Sequence, residues 1–118
     1  MLRILAAATL LAAQPALADV TLINVFEVPP GQREAVIAQW EAARDVLQDQ
    51  PGYISTALHQ TISPTARFEL INIARWESPR AFQRAMEVLH ASGAYPAIEG
   101  LGINPALYTI IREDSRAP

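Results

Sequence analysis

The 118-residue chain contains no cysteine and no lysine; arginine supplies all nine of its basic side chains. Without thiols it has no disulfide, no thiolate metal site and no cysteine nucleophile. Without lysine, Schiff-base chemistry on a side-chain amine is excluded. Histidine is scarce, with two residues, His59 and His90. A zinc site would need carboxylate help, and no acid–histidine spacing suggests one. Nucleotide-binding glycine loops, a G-x-S-x-G elbow and an H-E-x-x-H pair are all missing, as is any flavin or nicotinamide fingerprint.

What is abundant is apolar: 51% of the residues. Of these 60, 14 fall in residues 1–18, leaving 46 in the remaining 100, an ordinary globular fraction. Residues 1–18 read as a signal peptide. Arg3 is the positive n-region, Ile4 to Ala13 the apolar h-region, and Ala16-Leu17-Ala18 an A-x-A cleavage site. The run is short for a bilayer span. The expectation is a periplasmic or secreted protein, cleaved after Ala18, with no stable membrane anchor. Its mature part carries eight arginines against twelve acids, a net −4. With no basic patch, nucleic acid is not expected as a partner.

Val20 to Val28 is β-branched and aromatic and stops at Pro29-Pro30-Gly31, as a strand does. Over Gln32 to Gln50 the period changes. Val36, Trp40, Ala43 and Leu47 form one stripe of an amphipathic helix, with Arg33, Glu41, Arg44, Asp45 and Asp49 mostly off it. Pro51-Gly52 ends that helix. Tyr53 to Ile62 alternates, placing Ile54, Leu58 and Ile62 on one face. Ser63-Pro64-Thr65 turns the chain into a third strand, Phe68 to Trp76, giving an antiparallel hairpin. Ser78 and Pro79 are an N-cap and N1 pair, opening a helix whose stripe is Phe82, Ala85, Met86 and Leu89. Gly93 to Pro105 reads as irregular, Leu107 to Arg112 as a fourth strand, and 113–118 as a polar tail.

This β-α-β-β-α-β order predicts an α+β, ferredoxin-like domain over residues 19–112: a four-stranded antiparallel sheet with two helices on one face. Strands 1 and 3 are apolar on both faces: Leu22, Phe26 and Val28 against Ile23 and Val25; Phe68, Leu70 and Trp76 against Ile71 and Ile73. The helices cover only one face, so the other calls for a second copy, a homodimer joined sheet to sheet.

A few side chains interrupt the apolar pattern. Asn24 is in phase with Leu22 and Phe26, and Asn72 with Leu70 and Trp76, so both amides belong to the helix-covered face. Burying an amide costs a few kcal/mol unless it is partnered; backbone, water or a ligand could serve. Trp76 extends the core face at the end of strand 3. His90 lies one turn beyond Met86, flanking the stripe. His59 shares the opposite sheet face with Ala57. Tyr53 and Tyr95 stand beside glycine or proline, at a pocket mouth or in a loop. Arg67 and Arg75 read as solvated strand residues unless the dimer buries them.

A strand ending in V-P-P-G, a helix carrying Trp40, the Q-P-G-Y turn at residues 50–53, and Trp76-Glu77-Ser78 opening a helix with Phe82 together resemble the antibiotic-biosynthesis monooxygenase domain, over about residues 20–112. The resemblance implies a dimeric α+β barrel. It also implies cofactor-independent oxidation of anthrones or quinols by O2, haem cleavage, or another activity of that family. The anthrone-type oxygenases line their pocket with an Asn and a Trp four apart on the third strand, matched by Asn72 and Trp76. They carry a Tyr where this chain has Phe82. The haem-cleaving branch has an Asn seven residues before the turn glycine, matched by Asn24 before Gly31. Its helix-2 Trp and its haem-ligating His fall here on Ala85 and Tyr95. His90 resembles the histidine near the helix end in quinol-oxidising relatives.

The resulting expectation is an exported dimeric monooxygenase acting on a small aromatic and O2 with no cofactor or metal. Asn72, Trp76 and His90 are the expected catalytic residues, and Asn24, Phe26, Phe82 and Met86 the expected substrate contacts. The alternatives are a non-enzymatic periplasmic binding or stress protein using the same pocket, and a haem binder.

Overall fold

In a computed structural model the described residues are 19–94 and 96–117. The expected signal peptide and Tyr95 lie outside them. The elements run β1 (Val20–Glu27), α1 (Arg33–Leu47), β2 (Tyr53–Gln60), β3 (Leu70–Trp76), α2 (Pro79–Ser92) and β4 (Gly102–Tyr108). The sheet is antiparallel with order β2-β3-β1-β4. This is the expected ferredoxin-like α+β arrangement, with strands 1 and 3 adjacent. No helix among the described residues is long and apolar enough to cross a membrane.

Local chemistry explains the boundaries. Ser78 accepts a hydrogen bond from the Ala81 N–H at 3.1 Å, with Pro79 opening α2 and Gly93 closing it at φ 70°. That is the Ser-Pro start and left-handed glycine end that helices favour. α1 ends at Leu47, three residues short of the expected Gln50, because the chain tightens into turns there: Gln50 N–H donates to Leu47 and Tyr53 N–H to Gln50. The Gly52 carbonyl then accepts from Glu77 N–H at 2.8 Å, tying the Q-P-G-Y turn to the start of α2.

Two expectations need correction. The fourth strand is Gly102–Tyr108, not Leu107–Arg112. It pairs with β1 from Glu27 opposite Gly102 to Thr21 opposite Tyr108, and beyond Tyr108 only Val20 of the partner strand remains. Ile110 and Ile111 are therefore exposed. Pro105, which argued against a strand, is tolerated because β4 is an edge. In β2, the register slips between Tyr53 and Ser55. Such a bulge takes up one extra residue. Tyr53 thus joins Thr56 and Leu58 on the helix side, whereas Ile54 is exposed at the bulge and Ile62 lies exposed beyond the strand.

Beneath the helices the core falls into two clusters. One is Val20, Leu22, Ala74, Trp76 and Ala85; the other is Phe26, Val36 and Leu70. On β1 and β3 the residues between them are Asn24 and Asn72, directly opposite each other in the ladder. On the far side of the sheet the register aligns Ile23 with Ile73 and Val25 with Ile71. Exposed ion pairs, Arg67–Glu27 and Arg75–Asp19, stand at the two ends of that apolar centre. The two arginines expected to be solvated are exposed, and each also pairs with a carboxylate.

Candidate functional site

The break between the two core clusters opens into a cavity of about 420 Å³ between the sheet and the helices, a volume ordinary for a small-molecule site. Small residues, Ala74 on the sheet and Ala43 on α1, line it where larger ones would fill it.

Asn24 and Asn72 are 9% and 8% exposed and both line the cavity. Each amide oxygen is already occupied. Asn24 Oδ1 accepts the backbone N–H of Asn104 at 3.1 Å. Asn72 Oδ1 accepts the Thr56 hydroxyl at 2.8 Å. Since a side-chain amide has one acceptor oxygen and two N–H donors, each asparagine is left with its NH₂ to offer a ligand. Facing residues of an antiparallel pair have Cα atoms roughly 5 Å apart, close enough for both amides to serve one oxygen or two neighbouring ones.

Trp76, 1% exposed, forms one wall. Its ring meets Tyr53 edge to face at 5.5 Å and Phe82 at 5.8 Å, the geometry that aromatic quadrupoles prefer. Phe26 and Met86 also line the cavity, as does His90 on the last turn of α2, itself exposed. All seven residues expected at a site therefore meet around one space. His59 does not: it stands exposed on the outer sheet face, aligned with Ile71. Tyr53 does, at the Trp76 edge.

Several lining residues were not among those expected at a site. Thr56 has the parity of Leu58 but no signal of its own beyond it. Gln39 is 6% exposed and donates its amide to the Pro96 carbonyl; a polar residue beside an apolar stripe reads as solvated until the 96–101 segment is seen to cover it. Trp40, on the stripe, lines the cavity, and Arg44, read as off the stripe, lines it too. The Arg44 guanidinium lies 5.3 Å from the centroid of the Trp40 ring. Among the described residues no group of three or more His, Asp or Glu is placed to hold a metal ion.

The antibiotic biosynthesis monooxygenase family model matches residues 19–94. No curated protein matches the sequence significantly. Among solved structures, a candidate monooxygenase from Shewanella loihica PV-4 is 48% identical, with a TM-score of 0.74, over 81% of this chain and 97% of that one. SnoaB, a cofactor-independent oxygenase from Streptomyces nogalater, shares the fold at 23% identity and a TM-score of 0.60, over 81% and 96% of the two chains. The haem degrader MhuD of Mycobacterium tuberculosis, with two haems bound, shares it at 19% identity and a TM-score of 0.62, over 81% and 99%.

Proposed function

Because the chain belongs to the antibiotic biosynthesis monooxygenase family, we propose that it oxidises a small quinol- or anthrone-like aromatic with O2, without a metal or organic cofactor. The observation that carries this reading is the pair of buried asparagine amides. Their oxygens are held by protein donors and their NH₂ groups are left to an apolar, aromatic-walled cavity.

In the proposed reaction the ring stacks against Trp76 and Phe82. His90 takes a proton from the substrate, imidazole being the side chain most used for this. The resulting enolate or phenolate oxygen receives the Asn24 and Asn72 N–H donors, which stabilise charge where it develops. The electron-rich anion then reduces O2. For an anthrone the ring CH₂ becomes C=O: one oxygen atom enters the product and the other leaves as water with the two hydrogens of that CH₂. The substrate supplies all four electrons, so no further reductant is needed. Phe82 lacks the phenol found at its position in anthrone-type relatives, which leaves proton handling to His90.

Export after Ala18 and dimerisation through the outer sheet face belong to the same proposal. The former is supported by the n-region, h-region and A-x-A pattern, the latter by the uncovered Ile23, Val25, Ile71 and Ile73.

The test is oxygen uptake by the purified protein with a panel of quinols and anthrones. Substrate-dependent uptake that falls about 10²-fold in Asn72→Ala supports the assignment, the scale expected for loss of one such donor. Ligand-induced thermal stabilisation with no turnover on any of them identifies a binding protein instead. A Soret band on haem titration without quinol turnover overturns the reading in favour of haem.

A further inference from the structure

The charge around the cavity is one-sided. The mature chain is net acidic, yet among the described residues no aspartate or glutamate lines the cavity. Its one permanently charged side chain is Arg44, and its one imidazole is His90. Both reach solvent as well, Arg44 with about 35% of its side chain exposed, so they stand at the mouth while the asparagines lie deep.

Arg44 is also held in place. The Trp40 ring supports its guanidinium at 5.3 Å, and Asp45 Oδ1 accepts from its Nε at 3.2 Å and one Nη at 3.0 Å. A guanidinium has five N–H donors in a rigid fork. That contact uses two of them on one edge and leaves the other Nη outside it. Asp45 does not line the cavity, so the charge the cavity meets is the cation.

From this we propose that Arg44 determines specificity, and that the aromatic substrate carries a carboxylate. The acid seats on the free edge of Arg44 at the mouth while the ring oxygens reach Asn24 and Asn72 inside. The inference rests on the oxygenase reading for the identity of the ring, but not for the acid, which is recognised by charge alone.

The experiment compares 1,4-dihydroxy-2-naphthoate with its methyl ester, a matched pair differing in the acid. Binding is measured by calorimetry under argon, so that it does not depend on turnover; oxygen uptake is measured separately. Wild-type protein should bind the acid about tenfold or more tightly than the ester, the scale of a charge-assisted hydrogen bond. The preference should shrink as salt is raised, because the site is partly exposed. Arg44→Gln should abolish the preference by weakening the acid alone, and Arg44→Lys should keep part of it.

Equal affinity for the two ligands in the wild type overturns the proposal, as does binding of neither. So does a loss in Arg44→Gln that is equal for acid and ester, which would mark Arg44 as a packing residue of Trp40. Survival of the preference in Arg44→Gln with its loss in His90→Gln overturns it as well. Preferential binding of the acid without oxygen uptake would defeat the oxygenase reading and leave this inference standing.

Discussion

The Thr56 hydroxyl donates to Asn72 Oδ1 at 2.8 Å across the β2–β3 pair, and this bond decides which end of the amide the cavity meets. With the oxygen held, the NH₂ is the group presented. Thr56→Val keeps the β-branched shape and removes the donor, freeing the amide to turn. Loss of one such bond is worth about 1 kcal/mol, so kcat should fall roughly fivefold while KM changes little. Thr56→Ser, which restores the hydroxyl, should recover most of the rate. An equal loss in the Ser and Val variants would show that packing, not the bond, matters.

Asn24 permits a sharper test of the donor role. Asn24→Asp retains an oxygen for the Asn104 N–H but replaces the NH₂ with a second oxygen and a negative charge. Circular dichroism and melting should show a folded protein, and oxygen uptake should fall by about 10²-fold or more. A variant that keeps turning over would remove Asn24 from the machinery.

Gly52 combines a positive φ of 89° with close packing: an added Cβ would stand 2.4 Å from the Ala81 Cβ. Gly52→Ala is expected to destabilise the fold by about 2–4 kcal/mol, adding left-handed strain to overpacking. Chemical denaturation measures it. The loss should be far smaller at Gly31, where φ is also positive but no atom lies within 4 Å of the added Cβ.

The outer sheet face tests the dimer. Val25→Arg or Ile73→Arg places a guanidinium among apolar residues that the second subunit would bury. An unpaired charge in that interface should convert the assembly to monomers, read by light scattering at micromolar concentration. A wild-type protein already monomeric at that concentration would remove the dimer from the proposal.

Much of this molecule was legible in one dimension. The change of period from two to 3.6 and back, punctuated by Pro29-Pro30-Gly31, Pro51-Gly52 and Ser78-Pro79, determined the element order. With it came the ferredoxin-like topology and the adjacency of β1 and β3. Alternation then put Asn24 and Asn72 on the covered face, because a strand's side chains have only two directions to point. The apolar character of both sheet faces was equally visible.

Tertiary structure alone decided the rest. The position of β4 followed from where β1 begins and ends, which overrode the local signals of Gly102 and Pro105. The amide orientations depend on Asn104 and Thr56, donors 80 and 16 residues from the oxygens they hold, and no local pattern announces such a pairing. Arg44 read as off the apolar stripe of α1 and Gln39 drew no reading at all, since periodicity reports the face a helix turns to its core and not the cavity or loop beside it. The missing lysines and cysteines set which chemistries were open to the chain. The packing of two helices over a sheet, with a polar row left between two cores, decided where that chemistry could occur.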